Sequence, residues 1–131
     1  MRACLDSWAV LAWLDGERPA RDRIESRLRE RPLMSWINAV EVYYQLEREH
    51  GRGAADQTLA DLRVALELEM PNAGRMIETA RIKAGMPAAL GDCFAVATAA
   101  AHGAVLLTGD PEILDREDLP CEVEDLRPAR R

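Results

Sequence analysis

The sequence predicts an α/β fold, a parallel sheet covered by helices on both faces. Three observations predict it. Strand-like and helix-like stretches alternate along the chain. The stretch AVLLT (104–108) is apolar throughout, as a strand buried on both faces is. LELEM (66–70) and CEVEDL (121–126) alternate apolar and acidic residues, as strands with one wet face do. The continuous run therefore belongs in the middle of the sheet and the alternating runs at its edges.

The elements follow in order. Residues 2–5 form a short strand, and 7–15 a helix capped by Ser7 and ended near Gly16. Pro19 opens a second helix that runs to about Arg29. Residues 32–35 form the second strand. Residues 37–50 form a helix closed by Gly51, with Ala39, Val42, Tyr43 and Leu46 on one face. A further helix covers 53–63, the strand 66–70 stops at Pro71, and 72–84 return to helix. KAGMPAALG is a loop. The small-residue helix 91–102 ends at Gly103 and leads into strand 104–108. A helical turn follows Pro111, and 121–126 close the sheet.

The chain has 131 residues, one domain's worth, and carries 48% apolar and 31% charged residues, as soluble globular domains do. No apolar run approaches the roughly 20 residues that span a bilayer. Asp6 and Asp15 interrupt any secretory signal near the start. Cys4, Cys93 and Cys121 are odd in number and widely spaced, without a C-x-x-C pair. They read as reduced thiols of a cytoplasmic protein and argue against zinc. The net charge of −6 argues against nucleic-acid binding by bulk electrostatics. It leaves open an enzyme whose acids hold cations. Arg21, Arg23, Arg27, Arg29 and Arg31 crowd one segment, interleaved with Asp22, Glu25 and Glu30. This run reads first as a solvated, ion-paired face, and second as a phosphate-contacting rim.

Four acids stand where an open parallel sheet places its sites, beyond the carboxyl ends of the strands. Asp6 follows the first strand. Glu41 lies in the first turns of the helix after the second, with Asn38 one turn earlier. Asp92 opens the helix that leads into strand 104–108, and Asp110 ends that strand. Each alone reads as a cap, turn or surface acid. Converging, they would repel one another and favour a bound cation. A donor set of carboxylate oxygens suits magnesium or manganese. Lys83 is the only lysine, which weakens a salt-bridge explanation.

Taken together, LDSWAVLAWL, MSWINAVEVYYQL, LGDCFAVATAAAHG and VLLTGDPEI resemble the PIN domain. They are most similar to the short PIN ribonucleases that act as VapC-type toxins of toxin–antitoxin pairs. The resemblance spans nearly the whole chain. It implies a three-layer α/β/α fold whose five-stranded parallel sheet has the order 3-2-1-4-5. It implies a metal-dependent endoribonuclease, a cognate antitoxin and a homodimer. Carried over by position, Asp6, Glu41, Asp92 and Asp110 are its acidic quartet, with Asp6 central. Glu112 is an outer candidate. Ser7, Asn38 and Thr108 would orient the carboxylates or a coordinated water. The expected reaction is phosphodiester hydrolysis with magnesium or manganese, leaving a 5′-phosphate and a 3′-hydroxyl. Trp8 stands where the family usually has a smaller residue.

Other features read structurally. His50 and His102 precede glycines at helix ends, where an imidazolium suits the dipole. Trp8, Trp13 and Trp36 read as core or interface residues rather than base-stacking platforms. Of Tyr43 and Tyr44, one is expected in the core and the other at a groove. A dehalogenase-like phosphohydrolase would need an aspartate where Trp8 stands. A receiver-like signalling module would need a lysine at a late strand end, and Lys83 is not there. The remaining alternative is a PIN-like module that binds RNA or regulates without cutting.

Overall fold

Each strand sends alternate side chains to opposite faces, and both faces find helices. The computed structural model describes residues 1–129. Strand β1 (Ala3–Leu5) leads into helices α1 (Ser7–Leu14) and α2 (Ala20–Glu25) and a 3₁₀ turn at Leu28–Glu30. Strand β2 (Leu33–Ser35) is followed by α3 (Trp36–His50) and α4 (Arg52–Ala65), and β3 (Glu67–Glu69) by α5 (Ala73–Gly85) and α6 (Leu90–Ala101). Strand β4 (Val105–Thr108), the single turn α7 (Pro111–Leu114) and β5 (Val123–Asp125) complete the chain. The five strands are all parallel, in the order β3-β2-β1-β4-β5. The expected order and the edge positions of the two alternating strands are therefore observed.

The register explains the two cores. Cys4 pairs with Leu33 and with Leu106. These three turn to one face, where they bury with Met86, Cys93, Val96 and Ile113. Ala3, Leu5, Met34, Val105 and Leu107 turn to the other, against Val10, Ile24, Val42 and Leu62. The three inner strands are wholly buried, which is why they lack polar alternation. The small residues of α6 let it lie close across β1, β2 and β4, with its positions 92–99 all buried.

Several local expectations are corrected. Helix α1 is capped by Asp6, not Ser7: Asp6 Oδ1 accepts from the Ala9 N–H at 2.8 Å. The second helix stops at Glu25 rather than near Arg29, and the chain tightens into the 3₁₀ turn. Helix α4 begins at Arg52 and runs on to Ala65. Strand β5 inverts the expected wet face. Val123 points outward, 37% exposed. Glu124 turns inward, where Arg27 reaches it at 3.0 Å and Arg23 at 3.6 Å. A carboxylate with two guanidiniums at hand can occupy a half-buried place that an unpaired one cannot.

Three of the five arginines of the run are ion-paired, two of them to Glu124 rather than to an acid within the run. Arg21 pairs with Glu25, Arg23 and Arg27 with Glu124, and Arg31 donates to the Arg63 carbonyl. His102 follows α6 as its C-cap, but its ring is taken by the Glu69 carboxylate at 2.5 Å. Burial pushes the Glu69 carboxyl up, yet hydrogen bonds from Arg75 and His102 outweigh it and hold it below its ordinary value. The three cysteines are free thiols. Among the described residues no single helix is long and apolar enough to cross a membrane.

Candidate active site

The carboxyl ends of β1 and β4 lie side by side, because Leu5 pairs with Leu107 in the register. Asp6 and Thr108 leave these ends one residue later and meet. The Thr108 hydroxyl donates to Asp6 Oδ2 and accepts from the Asp110 N–H at 3.0 Å. One threonine thus ties the α1 cap to the turn that carries Asp110. Asp6 is only 1% exposed, and both of its oxygens are engaged, by the Ala9 N–H and by Thr108. Burial pushes its carboxyl up to about 7, against the pull of those two hydrogen bonds, and the charges of Asp110 and Glu41 raise it further.

Asp92, Asp110 and Glu112 come together above it. One carboxylate oxygen from each lies within 4.8 Å of the others. Asp92 sits in the first turn of α6, where the helix dipole favours an anion. Its Oδ2 is buried with no hydrogen-bond partner among the described residues. Burial first, and then the carboxylates of Asp110 and Glu112, push the Asp92 carboxyl up to about 8. Asp110 caps α7, its Oδ1 accepting from the Glu112 N–H at 2.9 Å. That turn swings the Glu112 side chain toward α6, where it accepts from the Ala89 N–H at 3.4 Å.

Glu41 approaches from α3. Asn38, one turn earlier, donates to Glu41 Oε1 and to the Gly91 carbonyl, each at 3.0 Å. Ser7 Oγ lies 3.5 Å from the same Glu41 oxygen. A Cβ at position 91 would overlap the Glu41 carboxylate, so the glycine supplies the space in which the acid lies against α6. On the opposite wall, a Cβ at position 109 would overlap the Trp8 indole, which rests on the turn between Thr108 and Asp110.

Every acid singled out from the sequence thus belongs to one end of the sheet. The tight cluster is Asp92, Asp110 and Glu112, so Glu112 stands inside it rather than outside. Asp6 lies beneath and Glu41 to one side. Among the described residues no arginine, lysine or histidine comes within 4.0 Å of Asp6, Glu41, Asp92, Asp110 or Glu112. The guanidiniums go elsewhere, Arg2 to Glu67, Arg75 to Glu69 and Glu78, and Arg127 to Asp125. An orphaned buried oxygen beside two further carboxylates fits a hard divalent cation such as magnesium or manganese. The cluster contains no thiol or imidazole to suit a softer metal. Gly91 and Gly109 escape sequence reasoning, because their part is to leave room for side chains that are distant along the chain.

Comparison with known proteins agrees with this architecture. Residues 3–118 match the PIN domain, and the chain belongs to that family. No curated protein matches it. Among solved structures it is similar to VapBC2 from Rickettsia felis bound to a DNA fragment from its promoter. The TM-score is 0.78 at 16% identity, covering 97% of this chain and 100% of that one. DNA-bound VapBC from Salmonella typhimurium gives a TM-score of 0.76 at 20% identity, over 95% of this chain and 98% of that one. VapC20 of Mycobacterium tuberculosis, a toxin that cleaves the sarcin–ricin loop, gives 0.64 at 17% identity, over 86% and 93%. At these identities the likeness is one of fold.

Proposed function

We propose that this chain is the toxin of a toxin–antitoxin pair, an endoribonuclease that hydrolyses RNA phosphodiester bonds with magnesium or manganese. The observation that carries the reading is the group of five acids at one sheet end with no cation beside them among the described residues. Such a group is costly to ionise in the absence of a partner charge. Asp92, Asp110 and Glu112 would hold the ion, with Asp6 and Glu41 completing the acidic surround. When bound there, a divalent ion supplies a nucleophile near neutral pH and neutralises charge at the phosphorus and the leaving 3′ oxygen. The chain's own groups set the geometry. Thr108 fixes Asp6 relative to Asp110. Asn38 and Ser7 aim Glu41.

An antitoxin partner and a homodimer belong to the same reading. Two of the similar structures are VapBC assemblies on DNA. In an assembly of that kind this chain, with a net charge of −6, would leave the basic DNA-contacting surface to its partner. The purified protein, incubated with total RNA and manganese, should generate discrete fragments ending in 5′-phosphate and 3′-hydroxyl groups. Chelator and the Asp92→Asn variant should each stop the cleavage. Intact RNA under metal-replete conditions, with the RNA still bound, would favour a non-cleaving module instead.

A further inference from the structure

The end of α6 that carries Asp92 is capped from outside its own helix. Its N-cap residue is Ala89, whose side chain accepts no hydrogen bond. The Ala89 carbonyl starts the helix by accepting from the Cys93 N–H at 3.2 Å. The Ala89 N–H donates to Glu112 Oε2 at 3.4 Å. A capping box closes a helix start in the same manner, with a glutamate that reaches back to the N-cap N–H. Here the glutamate comes from α7 and is also a member of the acidic cluster. The Glu112 carboxylate is thereby placed by the start of α6 as well as by its own turn.

That N–H belongs to the peptide unit joining Ala88 and Ala89, and the carbonyl of the same unit is occupied too. Lys83 Nζ donates to the Ala88 oxygen at 2.5 Å. One peptide unit therefore lies between an ammonium and a carboxylate. A cation on the oxygen polarises the unit and makes its N–H a stronger donor. The bond to Glu112 is longer than an ordinary N–H···O bond, so that added strength matters. The unit is also held from behind, because Met86 and Ala88 are buried in the second core and the Ala88 N–H donates to the Met86 carbonyl at 2.7 Å. Lys83 stands in the last turn of α5 and is the only lysine of the chain. Among the described residues no carboxylate comes within 4.0 Å of it. Its charge does reach the first turn of α6, where it opposes the upward push of burial on the Cys93 thiol.

Resting on the metal-dependent nuclease reading, we propose that Lys83 is a positioning residue of the acidic cluster. Acting through the Ala88–Ala89 peptide, it fixes the Glu112 carboxylate beside Asp92 and Asp110, where that carboxylate would meet a divalent ion. Lys83 itself meets neither the ion nor the substrate. Loss of an outer partner weakens metal binding, so Lys83→Met should raise the manganese dissociation constant about tenfold. Lys83→Arg keeps a charge and a donor and should restore most of the affinity. At saturating manganese kcat should change less than about twofold, since the filled site has the same ligands. In a Glu112→Ala background Lys83→Met should cost nothing further, because the Ala89 N–H then has no carboxylate to hold. A lysine acting only as a distant positive charge would still weaken binding at Asp92 and Asp110 when it is removed from that background.

The experiment titrates manganese into the metal-free chain and reads the bound fraction by electron paramagnetic resonance. It is joined to amide NMR spectra of the same proteins without metal, which report the Ala89 N–H directly and show that each variant keeps its fold. The expected result is the graded series of dissociation constants, natural protein and Lys83→Arg below Lys83→Met. With it, the Ala89 proton should move upfield and exchange faster in Lys83→Met, and do so again in Glu112→Ala. An unchanged manganese affinity in Lys83→Met, an unmoved Ala89 resonance, or an equal further loss in the Glu112→Ala background would each overturn the assignment while leaving the nuclease reading in place. A natural protein that takes up no manganese would instead overturn the metal-dependent reading, and this inference with it.

Discussion

Replacing Asp6 by asparagine separates the cost of the buried charge from the value of its hydrogen bonds. The carboxyl is fully enclosed, and burial pushes it from 3.8 to about 7. At roughly 1.4 kcal/mol per pH unit, keeping it ionised costs the native state on the order of 4 kcal/mol above neutral pH. The sign is fixed by proton counting. Between about pH 4 and pH 7 the native carboxyl keeps a proton that the unfolded chain has released, so stability falls as pH rises through that range. Asparagine removes this cost. It also keeps the helix cap, since its Oδ1 accepts from the Ala9 N–H as well as aspartate does. What it loses is the acceptor for the Thr108 hydroxyl hydrogen, a loss of about 1–2 kcal/mol. The net expectation for Asp6→Asn without divalent metal is a gain of about 2 kcal/mol at about pH 8. That gain should shrink by roughly 1.4 kcal/mol per unit below neutral pH and vanish near pH 5–6. Urea denaturation of both proteins across this range, in chelator, measures it directly. A variant less stable than the natural protein at alkaline pH, or a difference independent of pH, would show that Asp6 is not a charge held against its preference. The same variant should lose cleavage altogether.

Two further substitutions test the surroundings. Gly91→Ala adds a Cβ where the Glu41 carboxylate lies. It should leave helix content intact yet lower kcat by about 100-fold through displacement of that acid, and unaltered kcat would show that Glu41 needs no fixed place. Glu124→Gln strips the acceptor from Arg23 and Arg27. It should cost less than about 1 kcal/mol in low-salt urea denaturation and close to nothing at high salt, because the group is partly exposed.

Much of this was legible because burial leaves simple marks. A strand enclosed on both sides must be apolar throughout, so AVLLT declared itself central, and the strands with acids at every second place declared themselves edges. The acids were legible as a set because they follow strand ends and helix starts. The rest depends on contacts that no local pattern encodes. Asp6 and Ser7 are both good caps, and propensity does not separate neighbours one residue apart. Glu112 enters the cluster only because Asp110 winds the chain through a single turn at Pro111. The inversion of β5 depends on two arginines about a hundred positions away, which let Glu124 face inward. Gly91 and Gly109 matter for what they lack, and an absent methyl group carries no sequence signal of its own.

The two outer strands have one more consequence. At one rim Glu67 is held by Arg2 and Glu69 by Arg75, and at the other Glu124 is held by Arg27. Charged side chains along both outer strands make the sheet a poor template for an incoming strand. Mixtures of the free chain should therefore resist strand-to-strand polymerisation.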